Sequence, residues 1–338
     1  MTQAASTPLL PAEPESSPLP DTRPVRLFRA VGRRATPQVE WVEIQIKSVL
    51  NRVQGMPFKW SINPYRGCAF GCRYCLARVT HWYLDQDGVN DWSSRIFVKI
   101  NAPEVLRREL AQPTWRKEQV HIGTATDPYQ PAEGAYRITR QILEALRDFQ
   151  TPIALVTKST MVVRDRDVLR QLADGPGALV MFSITTVDPA VAREIEPDVP
   201  PPQRRLEVMR ALADAGVPTG VLLAPVLPGI TDGEESLGAV VQAAKEYGAS
   251  ALFANTLYLG DVTRQAFFEY LEHKRPALVP EYERLYRGKY APRAIQERIK
   301  QVVAALKAQA GFSGAPHRPS APPAPTPVEV RATQLRLL

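Results

Sequence analysis

An α/β protein built on a parallel sheet is what this sequence predicts, and two observations carry the prediction. Short apolar runs recur at 58–63, 120–125, 153–157, 179–185, 219–224 and 251–257. Stretches with helical periodicity separate them, and strands that alternate with helices form βα units rather than hairpins. The first run leads directly into Asn63-Pro-Tyr-Arg-Gly-Cys-Ala-Phe-Gly-Cys-Arg-Tyr-Cys75. After the second run a helix is expected over 134–149, because Ile138, Ile142, Leu146 and Phe149 fall on one face. Further helices are expected over 165–173, 203–215 and 234–247. The run 95–100 has no place in the repeat and is expected as an edge strand.

Composition divides the chain. Residues 1–24 hold six prolines among Ser, Ala, Glu and Thr, and residues 314–338 hold six more. Such segments cannot bury enough apolar surface to fold and are expected to be disordered. The expected order is a tail over 1–24, a lead-in over 25–57, a core over 58–260, a helical extension over 261–312 and a tail over 313–338. The two Pro-rich ends carry −2 and +2, so the net charge of +7 belongs to the segment between them. Hydrophobic residues make up 44% of the chain, enough for a large core. No apolar run approaches the ~18 residues that a membrane span needs, and a cytoplasmic protein is expected.

All three cysteines, Cys68, Cys72 and Cys75, lie within eight positions. Thiolates are soft ligands that select zinc or iron-sulfur clusters. Structural zinc asks for four closed ligands, and the fourth here would be His81 or an acid. Ferredoxin-type clusters take four cysteines, one more than this chain has. An odd count with no secretory signal sets aside a disulfide framework and points to a reducing compartment. Three sulfurs on one loop suffice for three irons of a four-iron cluster, which leaves the fourth iron open to a second molecule.

The spacing C-x3-C-x2-C, with Tyr74 just before the last cysteine, resembles the cluster loop of the radical S-adenosylmethionine (radical SAM) superfamily. That resemblance implies a partial (β/α)6 TIM-like barrel with Cys68, Cys72 and Cys75 as ligands of a [4Fe-4S] cluster. It also implies that the amino and carboxylate groups of S-adenosylmethionine chelate the fourth iron, with Tyr74 beside the adenine. An electron from a reductase, flavodoxin or ferredoxin would cleave the sulfonium to methionine and a 5′-deoxyadenosyl radical, which abstracts hydrogen from a substrate. The cofactors carry the difficult chemistry, and the protein binds, orients and excludes water.

Barrel enzymes place their chemistry on the loops at the carboxyl ends of the strands. The second such loop reads Gly123-Thr-Ala-Thr-Asp-Pro. Superfamily members often carry a glutamate there for the methionine amino group; here it is absent, and Asp127, with the hydroxyls of Thr124 and Thr126, is the candidate. The same residues also make a proline-stiffened turn with Asp127 as a helix cap. The third strand ends at Lys158 and the fourth carries Ser183. The cysteine loop, Thr-Asp-Pro, Thr-Lys-Ser and a serine on strand four follow the order seen in spore photoproduct lyase and its relatives, over roughly 55–260. This likeness implies that Lys158 and Ser183 contact the methionine carboxylate, although such a lysine is otherwise the solvated end of a strand. That lyase group uses a further cysteine to return a hydrogen atom, and this chain has none left. Tyr129 and Tyr258 are therefore the hydrogen-donor candidates, and thymine-dimer repair is not the expected reaction.

Basic residues crowd Arg204-Arg205, Arg137/Arg140, Arg293/Arg298/Lys300 and the stretch from Arg26 to Arg34, with Trp82, Trp92 and Trp115 interleaved. Cations attract phosphate backbones and aromatic rings stack bases, which makes nucleic acid a candidate substrate. The plain alternative is that these cations populate helix surfaces. A non-catalytic, metal-binding nucleic-acid-binding module is the reading from a different class. His121 is expected to be packed, whereas His81 is expected to shield the cluster or donate to its sulfurs.

Overall fold

A computed structural model describes residues 33–36, 39–84 and 86–312. The Pro-rich ends expected as tails lie outside the described residues, and β1 (Arg33–Thr36) is described by its backbone alone. The other strands are β2 (Val39–Ile44), β3 (Asn51–Arg52), β4 (Trp60–Ile62), β5 (Tyr65–Arg66), β6 (Arg95–Lys99), β7 (Val120–Ile122), β8 (Ile153–Thr157), β9 (Ala178–Ser183), β10 (Thr219–Val226) and β11 (Ala251–Thr256).

The main sheet runs β11-β10-β9-β8-β7-β4-β3. Its six strands from β4 to β11 are parallel and lie in chain order, while the short β3 caps the free side of β4 antiparallel. A sheet wound in one direction without a reversal curves toward a barrel rather than forming a doubly wound layer, as the sequence predicts. The central strands β8 and β9 are buried almost throughout, as parallel strands covered on both faces must be.

The helices are α1 (Ala102–Leu110), α2 (Pro131–Tyr136), α3 (Ile138–Asp148), α4 (Arg166–Asp174), α5 (Pro189–Ile195), α6 (Pro202–Asp214), α7 (Glu234–Glu246), α8 (Asp261–Lys274), α9 (Val279–Leu285) and α10 (Arg293–Gln309). Neighbouring helices pack on one another, α1 on α3, α3 on α4 and α7 on α10, as one outer layer. The chain past residue 260 has two roles. Helix α10 returns to cover β11 and α7, whereas α8 and α9 pack their aromatic residues toward the cysteine loop.

Two expectations need correction. The helix expected over 134–149 is broken at Arg137, whose φ is +52°. Buried Glu133 causes the break: its carboxylate accepts from the backbone N–H of Thr139 (2.9 Å) and Arg140 (3.3 Å), capping α3, and is held by Tyr65 (2.5 Å) and Arg164 (2.7 Å). Run 95–100 is not at the edge of the main sheet. As β6 it is an inner strand of a second sheet ordered β1-β2-β6-β5, parallel to β2 and antiparallel to β5. Its partner comes from the lead-in, and no local pattern announces that pairing.

His121, on β7, is packed as expected: its ring stacks on Phe58 at 4.1 Å between centroids. Burial lowers its pKa to about 4. The native state thus keeps a neutral imidazole where the unfolded chain, with a pKa near 6.5, takes up a proton. Stability is fully present above about pH 6.5 and is lost as the pH falls toward 4. Allowing for partial exposure, acid unfolding of the wild type should show a loss of roughly 1–2 kcal/mol across that window, which His121→Phe removes.

Candidate active site at the cysteine loop

The cysteine loop leaves the carboxyl end of β4 through Asn63 and Pro64 and is shaped by Gly67. This residue has φ +81°, and a Cβ there would lie 2.7 Å from the Arg95 carbonyl oxygen. Backbone bonds fold the loop on itself: Cys68 N–H donates to Trp92 O (3.1 Å), Gly71 N–H to Cys68 O (3.2 Å) and Cys75 N–H to Cys72 O (3.3 Å). All three thiols are free; Cys68 and Cys72 are buried and Cys75 is half-buried. Burial raises the Cys68 thiol well above its ordinary range and pushes Cys72 up to about 12. These sulfurs stay protonated until a metal displaces the proton.

Neighbouring loops hold this one in place. Thr126 Oγ1 donates to Gly67 O (2.6 Å), and Gln130 binds the same carbonyl through Nε2 (3.0 Å) and Ala69 N–H through Oε1 (3.0 Å). Thr124 accepts from Asn63 Nδ2 at 3.2 Å. The turn carrying these residues needs Gly123, where φ is +87° and a Cβ would lie 2.4 Å from Val156 O. Asp127 is spent on the scaffold: Oδ1 accepts from Tyr129 N–H (2.9 Å) and Thr157 Oγ1 (2.8 Å), and Oδ2 accepts from Lys158 N–H (2.7 Å). It ties the second loop to the end of β8, so the turn-forming role weighed from sequence is present in the geometry. Burial raises its pKa against those donors.

Lys158 extends from the end of β8 over the Tyr74 ring, with Nζ 5.6 Å from the centroid. Burial opposes its charge, but the Glu196 carboxylate nearby helps to hold its pKa above the ordinary lysine value. Ser183 is 2% exposed at the end of β9 and donates to Ala224 O at 3.2 Å. Tyr74 is buried; its hydroxyl donates to Glu196 and meets Thr185 Oγ1 at 3.0 Å. Glu196 in turn pairs with Arg205 at 2.6 Å, both side chains 1% exposed, and Arg205 also donates to Ser183 O (2.7 Å) and Pro200 O (2.8 Å). The Ile195 carbonyl accepts from Arg73 N–H at 3.0 Å, so the end of α5 and the residue after it latch the cysteine loop twice.

Comparison with known proteins agrees with this geometry. A model of the radical SAM superfamily matches residues 62–240, from the end of β4 to α7. The chain belongs to the radical SAM superfamily. An uncharacterised protein of Mycobacterium tuberculosis is 38% identical over 308 residues, 90% of each chain, and one of Methanocaldococcus jannaschii is 27% identical over 202 residues, 60% of this chain and 73% of that one. Among solved structures, spore photoproduct lyase with bound AdoMet and dinucleoside spore photoproduct is similar in fold, with a TM-score of 0.61 at 17% identity over 80% of this chain and 79% of that one.

Radical SAM enzymes use a [4Fe-4S] cluster and S-adenosylmethionine and need a reducing partner. The residues here fit such a cluster. Among the described residues no three His, Cys, Asp or Glu side chains converge to hold a single ion. A four-iron cluster asks for something else, one thiolate on each of three irons. The buried N–H groups of Arg78 (Nε) and Trp92 (Nε1) beside the loop also lack acceptors, as donors aimed at a sulfur-bearing group would in its absence.

Several sequence expectations are placed differently. His81 is fully buried, with Nε2 3.1 Å from Arg95 O, so that nitrogen is engaged by the backbone. Tyr129 is fully buried with its hydroxyl on Asp165 (3.0 Å), whereas Tyr258 is half-buried near the carboxyl end of β11, its ring 5.1 Å from Tyr290. Of the basic residues, Arg205 is an internal ion-pair member, Arg140 is shared among Glu144, Asp165 and Asp167, and Arg298 pairs with Asp232. Trp92 is buried and Trp115 is half-buried on Thr151; Trp82 remains 52% exposed. Gln130, Glu196 and Arg78 have no counterpart in the sequence reading. No helix among the described residues is long and apolar enough to cross a membrane.

Proposed function

We propose that this chain binds a [4Fe-4S] cluster through Cys68, Cys72 and Cys75 and cleaves S-adenosylmethionine reductively to start hydrogen abstraction. The observation that carries the reading is the placement of three free thiols on one loop at the mouth of a parallel βα array, beside a lysine and a buried aromatic ring. When bound, the two cofactors supply a 5′-deoxyadenosyl radical. This chain's residues do the rest: the loop presents three sulfurs, Lys158 offers a cation to the methionine carboxylate, and Ser183 closes the same side through its hydroxyl. Tyr74, fixed by Glu196, presents a ring face to the adenine. Asp127, Thr124 and Thr126 act by shaping the turn that faces the methionine amino group. The electron comes from a flavodoxin, ferredoxin or reductase.

A nucleotide or nucleic acid is the proposed substrate class. What supports it is the net charge of +7 together with a fold similar to that of spore photoproduct lyase, seen with bound dinucleoside spore photoproduct. With no cysteine left to return hydrogen, the proposed outcome is a modification rather than dimer repair; Tyr258, at the mouth, is the better placed of the two tyrosine candidates.

Anaerobic reconstitution with iron and sulfide, followed by dithionite and S-adenosylmethionine, should yield 5′-deoxyadenosine on chromatography. A colourless, air-stable protein that takes up stoichiometric zinc and forms no product would move the non-catalytic metal-binding module into first place.

A further inference from the structure

Arg78 follows Cys75 by three residues on the short 3₁₀ helix Leu76–Leu84, with its side chain turned inward and only 4% exposed. Its guanidinium donates to three neutral backbone carbonyls: Cys72 at 3.2 Å, Gly88 at 3.3 Å and Val89 at 2.9 Å. Its Nε–H has no acceptor. Among the described residues no carboxylate forms an ion pair with it; Glu269 acts on it only from beyond ion-pair distance, and Arg73 repels it. The contrast with Arg205 is sharp, since that equally buried arginine meets Glu196 at 2.6 Å.

A guanidinium taken out of water and left without an opposite charge is destabilising, and chains retain one where an anion arrives. The groups on the adjoining loop that become anionic when they ligate a metal are the cysteine sulfurs, free thiols in this chain. Three thiolates outweigh the positive charge of an iron-sulfur core, and each added electron deepens the negative balance. Trp92 Nε1–H, fully buried in the apolar cluster that contains Cys68 and Cys72, is a second donor without an acceptor in the same shell.

We propose that Arg78 is the built-in counter-cation of the cluster held by the cysteine loop, and that its charge raises the cluster's reduction potential. The inference rests on the cluster reading above. It assigns Arg78 an electrostatic role toward the cluster, with no contact to substrate.

The test is a potentiometric titration of the reconstituted full chain, followed by electron paramagnetic resonance of the reduced cluster, with wild type, Arg78→Gln and Arg78→Lys compared. At the wild-type midpoint the ratio of reduced to oxidised cluster in Arg78→Gln should be about tenfold lower, a midpoint about 59 mV lower for a one-electron couple. Arg78→Lys should recover most of the difference. The iron-free chain gives a second arm: without the cluster the charge has no partner, so iron-free Arg78→Gln should melt no lower than iron-free wild type. An unchanged midpoint in Arg78→Gln at equal iron content overturns the proposal, as does a markedly lower melting temperature of its iron-free form. Iron lost from Arg78→Gln but kept by Arg78→Lys supports it, and iron lost from both assigns the residue to packing instead. A wild type that binds no iron overturns the cluster reading and this inference together, whereas a failed Arg78 comparison on an iron-loaded wild type overturns only this one.

Discussion

Cys72→Ala should give a folded chain that holds no cluster and forms no 5′-deoxyadenosine above the chemical background. The chain contains three cysteines, so the ligand set has no spare. The fold should tolerate the change because the contacts of Cys72 that shape the loop run through its backbone carbonyl, which accepts from Cys75 N–H and Arg78 Nη2, and alanine keeps that carbonyl. Its side chain is 7% exposed within the smaller apolar cluster, so removing the sulfur leaves a small cavity worth about 1 kcal/mol. Iron content, visible absorbance and product should vanish together, while circular dichroism and the melting of the iron-free form stay near wild type. Global unfolding of the variant would make the site structural and count against a catalytic cluster.

Arg205→Met should cost about 3–5 kcal/mol in denaturant unfolding, because it strands the Glu196 carboxylate in the interior. In the wild type, burial pushes Glu196 up, and Arg205, Lys158 and the Tyr74 hydroxyl overcome that push and hold it below the usual carboxylate range. The pair's contribution is therefore present above the ordinary glutamate pKa and is lost as the pH falls through the lowered one. In Arg205→Met that dependence reverses, since protonating the stranded carboxylate then relieves the fold. Adding Glu196→Leu should recover most of the lost stability, because a well-packed apolar pair replaces a buried ion pair at little net cost. A loss under about 1 kcal/mol for Arg205→Met alone would mean that water reaches the pair and that it does little to anchor Tyr74.

The sequence reading succeeded where the signal is local. The apolar run 153–157 coincides with β8 because a buried parallel strand must be apolar along its whole length and Lys158 ends it. Strand β7 stops at Ile122, short of the expected 125, because Gly123 turns the backbone into the left-handed region. The cysteines were legible because three thiols at that spacing have few uses other than holding a metal or cluster. What escaped is what depends on distant partners. Glu196 lies in a short turn without periodicity, and its value comes from Arg205 nine residues on and Tyr74 122 residues back. Arg205 read as a surface cation because composition cannot separate a solvated arginine from a buried one. The break at Arg137 was hidden for the same reason, since Glu133 caps α3 while held by Tyr65, 68 residues away.

The ties around the cysteine loop also set an order of assembly. Its cysteines come from the first quarter of the chain, yet Gln130 reaches back 61 residues to Ala69, Glu196 reaches back 122 to Tyr74, and Thr263 Oγ1 binds the Cys75 carbonyl across 188. During synthesis the thiols leave the ribosome long before any of these clasps exist. Closing loops of that length must wait for the strands between them to pair, so the ligand loop stays unlocked until α8 has been made. On the proposed cluster reading, iron and sulfide that arrive before α8 has been made meet a loop lacking its last clasp, and those that arrive later meet the closed one.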